Sequence, residues 1–176
     1  MLTLKGIVLG LLAASGSDGS GVNPDQFYCM TEAVYYEARG EGRDGMSAVA
    51  HNILNRTNSG KFPSTICEVT HQRMGKAKRY QYSYRNHMPR KIDLRKEGNR
   101  RALADSAWVA LHAMQGNTKD QTHGALYYFN PKKSKPQWAR SMLLTARIKN
   151  HAFYIEPKVN AWAHSAKRSD GYFVQR

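Results

Sequence analysis

Ala33-Val34-Tyr35-Tyr36-Glu37-Ala38-Arg39-Gly40-Glu41-Gly42 is the stretch on which the fold and the chemistry of this chain turn. Its apolar and aromatic run predicts the last turns of a helix that starts near Asp25 or Gln26, just after Pro24. The helix reaches about Arg39, where Gly40 and Gly42 stop it. A carboxyl at that end, beside Tyr35 and Tyr36, is pushed toward its protonated form, because burial and the negative helix terminus both disfavour the anion. Arg39 pulls the other way, so these residues alone do not fix the net shift. On composition alone the plainer reading of Glu37 is a surface carboxylate on an exposed helix end.

Beyond the glycines, Asp44 is placed to cap a second helix. There Met46, Val49, Ala50, Ile53 and Leu54 fall at the i, i+3, i+4, i+7, i+8 spacing of one buried face, ending at Asn58-Ser59-Gly60. Phe62-Pro63 opens an irregular stretch whose Ile66, Cys67 and Val69 return to the core. Residues 71–101 are basic and poor in aliphatics, with Tyr80, Tyr82 and Tyr84 at alternate positions. They read as a long loop or short-helix segment lining a site. A third helix, about Asn99 to Gln115, buries Leu103, Ala107, Ala110, Leu111 and Met114, and Gly116 closes it. Ala125-Leu126-Tyr127-Tyr128-Phe129 reads as a strand ended by Asn130-Pro131. Leu143 to Ile148 and Ala152 to Ile155 read as a hairpin turning at Lys149-Asn150-His151. The class is α+β, mainly helical, with a small antiparallel sheet in the C-terminal third.

Composition narrows the partners. The 176 residues suit a single domain, and 41 % hydrophobic content excludes wholesale disorder. No apolar run approaches the ~20 residues of a membrane-spanning helix. With 27 Lys and Arg against 13 Asp and Glu, the net charge is +14, and such a chain is attracted to polyanions. Nucleic acid, anionic envelope polymers and lipopolysaccharide all answer that description. Cys29 and Cys67 form no CxxC, and the pair suits a disulfide as well as two buried thiols. The seven histidines are scattered without HExxH or i, i+4 pairing, so no metal or other cofactor is expected. Met1 to Lys5, the apolar Gly6 to Ala14 and the small Ala14-Ser15-Gly16 resemble a short export signal. An N-terminal arm on a protein that is never exported reads equally well. Ser15 to Gly21 is a flexible linker by composition.

Cys29 to Glu41, followed by Gly45, Ala48, Val49, Ala50, Leu54, Asn55 and Arg56, resembles the signature of the SleB/CwlJ-type cell wall hydrolases. Phe62-Pro63 with Cys67, Val69 and Gln72 is similar to that family's next block. Gln81-Tyr82-Ser83-Tyr84 resembles its Gln-Phe-Ser-Trp block, with tyrosines at both aromatic places. Ala125 to Pro131, then Pro136, Trp138 and Ala139, and finally Ile148 to Tyr154, resemble its C-terminal blocks. Five blocks in colinear order cover roughly residues 26–155.

The resemblance implies a lysozyme-like, lytic-transglycosylase-like domain, set at residues 23–156, while composition reads a leader or flexible arm at 1–22 and a basic peripheral tail at 157–176. It implies that Glu37 is the catalytic acid, protonating the β-1,4 link from N-acetylmuramic acid to N-acetylglucosamine in peptidoglycan. Most glycosidases add a second carboxylate, about 5–5.5 Å away for retention or about 6.5–9.5 Å for inversion. Glu41, Asp44, Glu68 and Asp93 are the candidates, and none has a convincing context. A lytic transglycosylase needs only one acid/base group, because the muramic C6 hydroxyl is the nucleophile. By the same analogy Gln81 and Ser83 bond N-acetyl groups or the Glu37 carboxyl, Asn130 donates to a glycan oxygen, and Tyr82, Tyr84, Tyr127 and Tyr128 stack on sugars. Strand alternation allows only one of Tyr127 and Tyr128 into the cleft. Trp138 and Phe153 read as packing, and His151 as a hairpin residue without a catalytic part. The resemblance also implies a Cys29–Cys67 bridge.

The partners so implied are peptidoglycan glycan strands and anionic envelope polymers, with no obligatory nucleic acid. The protein would act in the periplasm or at the cell wall, as a phage lysin, a virion-carried wall hydrolase or a bacterial remodelling enzyme. A basic nucleic-acid-binding protein, its tyrosines stacking on bases, is the alternative of another class. It explains the charge and leaves Glu37 without a purpose, and Glu37 also argues against a wall-binding module that has lost catalysis.

Overall fold

Asn23 starts the central helix. Its side-chain oxygen accepts from the N–H groups of Asp25 and Gln26, and Pro24 occupies the first helical position of α2 (Pro24–Ala38). The computed structural model describes residues 3–16, 21–75, 79–87 and 92–157; the tail expected at 157–176 lies, save for its first residue, outside them. α2 is buried almost all round: Met30, Thr31, Ala33, Val34 and Tyr35 are fully covered. It packs against α1 (Leu4–Ala14), α3 (Gly42–Asn58), α4 (Ile66–Thr70) and α5 (Glu97–Met114). The apolar N-terminal stretch is therefore a helix laid on the body, with Val8 buried and Leu4, Ile7, Leu11 and Leu12 packed on the core. No helix among the described residues is long and apolar enough to cross a membrane.

The turn from α2 into α3 departs from expectation. Asp44 does not cap α3. The helix starts three residues earlier than that cap would set it, and its first residue, Gly42, adopts φ +65°, a region open to glycine without strain. Glu41 occupies the cap position without a side-chain cap bond. Its carboxylate instead accepts from the backbone and side-chain N–H groups of Asn150, at 2.9 Å each. Asp44 lies in the first turn, where its charge suits the positive helix end, and pairs with Lys149 at 3.3 Å. Gly45 is required by contact: a Cβ there would stand 2.3 Å from that of Glu41.

The irregular stretch after Phe62 contains a short helix, α4, capped by Thr65. Cys29 and Cys67 are bonded, tying α2 to α4. The basic segment holds two short antiparallel strands, β1 (Arg73–Met74) and β2 (Arg79–Tyr80), then a 3-10 helix over Ser83–His87. The late sheet is β3 (Tyr127–Phe129), β5 (His151–Ile155) and β4 (Leu143–Ile148), antiparallel in the order β3-β5-β4. The hairpin turns at Lys149 and Asn150, and His151 already opens β5 opposite Ile148.

Candidate active site

Glu37 lies on the last turn of α2, where the helix reaches a cleft of about 750 Å³. The facing walls are the Gln81–Tyr84 segment with His87 and Asp93, and the end of β3 with Asn130, Lys133 and Ser134. The Tyr128 hydroxyl donates to the Glu37 carboxylate at 3.0 Å. Burial pushes the Glu37 carboxyl above the usual carboxylate range. The Tyr128 hydrogen bond and the charges of Arg56 and Lys133 oppose that shift without cancelling it. Arg39, the cation expected to hold the proton off, is turned aside: its guanidinium donates to the Tyr35 hydroxyl at 3.1 Å and lies over that ring.

Three side chains on one face of α3 place β3. Asn52 Nδ2 donates to the Ala125 carbonyl at 2.9 Å, and Asn55 reaches the same carbonyl and Asp120. Arg56, 2 % exposed, donates from Nε to the Leu126 carbonyl at 2.7 Å and from a terminal nitrogen to the Tyr82 hydroxyl at 3.2 Å. These bonds hold the strand in the register that turns Tyr128 toward Glu37. The Tyr128 ring is braced by Phe153, centroids 5.5 Å apart, and by the edge-on ring of His151.

The residues expected to bind substrate divide. Gln81, Ser83, Tyr128 and Asn130 line the cleft. Tyr127 does not: it faces the other side of the sheet, donating to Glu156 at 2.7 Å and packing on Phe62 and Trp138. Alternation along β3 gives the cleft to Tyr128 and the outer layer to Tyr127. Tyr84 touches the cleft, but it is buried and stacked on Tyr36 with centroids 4.9 Å apart, so its ring is a wall. Tyr82 is buried likewise beneath Arg56. Asn130 holds its own turn, accepting from Lys132 N–H on its side chain and from Lys133 and Ser134 N–H on its carbonyl. Trp138 and Phe153 pack in the sheet layer. His151 is buried on the cleft wall, held toward its neutral form by burial.

The other acids are engaged. Asp44 pairs with Lys149, and Glu68 is exposed and accepts from Thr65. Asp93 lines the cleft but is gripped by Arg95 at 2.9 and 3.2 Å. Burial works to raise Glu41, yet the Asn150 hydrogen bonds outweigh it and keep this carboxyl below the usual range. Glu32, buried one turn before Glu37, pairs with Arg85 and accepts from the Tyr28 hydroxyl, fastening the 3-10 helix to α2. No group of three His, Cys, Asp or Glu among the described residues suits a metal ion.

A family model described as Cell Wall Hydrolase matches residues 40–154, beginning just past Glu37. The chain belongs to this family. Spore cortex-lytic enzymes resemble it: that of Halalkalibacterium halodurans is 33 % identical over 134 residues, covering 76 % of this chain and 36 % of the relative. That of Bacillus subtilis is 30 % identical over 144 residues, covering 80 % and 41 %. The chain thus spans roughly a third to a half of the length of the curated relatives it matches. The solved catalytic domain of the Bacillus cereus SleB protein superposes with a TM-score of 0.53 at 30 % identity, covering 77 % of this chain and 93 % of that domain. The catalytic domain of the germination-specific lytic transglycosylase SleB from Bacillus anthracis gives 0.53 at 31 %, covering 77 % and 98 %. The cell wall hydrolase thus has the mainly helical, lysozyme-like fold of these domains, with its small antiparallel sheets.

Proposed function

We propose that this cell wall hydrolase is a peptidoglycan-degrading enzyme that severs the β-1,4 bond from N-acetylmuramic acid to N-acetylglucosamine with Glu37 alone as acid and base. The supporting observation is the Glu37 carboxyl itself. It is set into a cleft, raised toward the protonated form by burial, and held by one hydroxyl donor. Protonated Glu37 gives its proton to the bridging oxygen as the bond from that oxygen to muramic C1 breaks. The carboxylate so formed then takes the proton of the muramic C6 hydroxyl while O6 bonds to C1. The products are a 1,6-anhydromuramic end and a free N-acetylglucosamine hydroxyl, and Glu37 is returned protonated. Tyr128, Arg56 and Lys133 stabilise the transient carboxylate. Engagement of Asp93 and Glu41 elsewhere leaves no free second carboxylate at the cleft among the described residues, which favours the intramolecular route.

Gln81, Ser83 and Asn130 bind the sugar amides and hydroxyls in this reading. The +14 charge draws the protein to anionic envelope polymers. The place of action is the cell wall, reached through the periplasm by a bacterial remodelling enzyme or as a phage lysin or virion component. Isolated sacculi treated with the protein and with Glu37→Gln, followed by mass spectrometry of released muropeptides, test the assignment. Anhydro ends from the first and none from the second are expected. Hydrated reducing ends would mean hydrolysis by water, and identical traces from both proteins would remove Glu37 from the chemistry.

A further inference from the structure

Lys133 is a cation on the cleft lining with no ion-pair partner among the described residues. It stands in the tight turn after β3, where its N–H and that of Ser134 both donate to the Asn130 carbonyl. The side chain is exposed, lines the cleft, and makes no ion pair among the described residues. Its charge reaches Glu37, Glu41 and His151. None of these is a standing counter-ion for it: in the proposed mechanism Glu37 is anionic only transiently, Glu41 is held by Asn150, and His151 carries no negative charge. Arg39 also lines the cleft with its guanidinium held on the Tyr35 hydroxyl, while Asp93, the other acid there, is held by Arg95. The cleft is therefore cationic at the moment substrate enters.

We infer that Lys133 forms a carboxylate-reading subsite that selects glycan bearing acidic substituents on or near the muramic ring over the same glycan rendered neutral. This rests on the peptidoglycan reading above and adds its charge specificity. The muramic lactyl group, when free, and the peptide stem, when attached, present carboxylates beside the ring. An exposed ammonium meeting one gains a modest, geometry-dependent attraction. A neutral aminosugar chain gives it nothing and leaves it to water.

The test compares KM on soluble, uncrosslinked peptidoglycan strands with KM on the same strands after their carboxylates are converted to neutral amides. For the unmodified protein, amidation is expected to raise KM about three- to fivefold. In Lys133→Ala the ratio of the two KM values falls by at least threefold, and Lys133→Arg restores it. Lys119→Ala, an exposed lysine outside the cleft, keeps the parent ratio and so controls for the overall +14 charge. Cleavage of both substrates with equal KM, or an unchanged ratio in Lys133→Ala, overturns the subsite and leaves the glycosidase reading intact. Absence of cleaved glycan from both substrates overturns that reading, and the subsite falls with it.

Discussion

At Glu37 three influences compete: burial favours the neutral acid, the Tyr128 hydroxyl favours the anion, and the cations Arg56 and Lys133 favour it too. Burial prevails, so the folded pKa stands above the unfolded one. Such a group adds to stability below its unfolded pKa and loses that contribution as pH rises through its folded pKa. Glu37→Gln is accordingly expected to abolish wall cleavage, a loss of about 10²-fold or more. The same change should stabilise the protein at pH 8, by about 1.4 kcal/mol for each unit of the native shift, and by much less at pH 4. Thermal melts at the two pH values check this. Tyr128→Phe removes one of the groups holding the pKa down. It should move the alkaline limb of the activity profile to higher pH while lowering activity about tenfold, which pH–rate curves would read.

Among the elements, the cross-links that fix the cleft walls carry the expectations. The Cys29–Cys67 bond closes a loop of 38 residues and joins α2 to α4, so reduction should cost about 2–4 kcal/mol, read as a fall in Tm with reductant. Arg56→Lys cannot serve the Leu126 carbonyl and the Tyr82 hydroxyl with one fixed fork. It should cost about 2–4 kcal/mol in urea unfolding and lower activity by loosening β3. The helices α2, α3 and α5 were legible because their buried faces repeat at helical spacing, and the β4–β5 hairpin because two apolar runs flank a short polar turn. The start of α3 was not, because Gly42's backbone angle and Asn150's claim on Glu41 are tertiary facts. Tyr84 misled because its spacing says nothing of the Tyr36 ring that covers it. Arg56 carries a signal in the sequence: it continues the row of Val49 and Ile53, and a charge on an apolar face means a buried, partnered group. Lys133 carries none, since its place in the cleft depends on how the 130–134 turn closes on the Asn130 carbonyl.

For the molecule as a whole, in the proposed reading, the surplus of 14 positive charges sets encounter with an anionic wall and the cleft sets what happens after. Binding of Glu37→Gln to sacculi should therefore weaken about tenfold or more between 50 and 500 mM salt, measured by co-sedimentation; a flat response would detach the charge from wall binding. Core, cleft and charge converge on one carboxyl. Glutamate-labelled protein can be titrated by carbon NMR, with Glu37→Gln assigning the missing resonance, alongside the pH dependence of sacculus clearing. A Glu37 midpoint above the ordinary carboxylate range, coinciding with the alkaline limb of activity, is the expected result. A midpoint at the ordinary value, or activity that ignores that titration, would contradict the account.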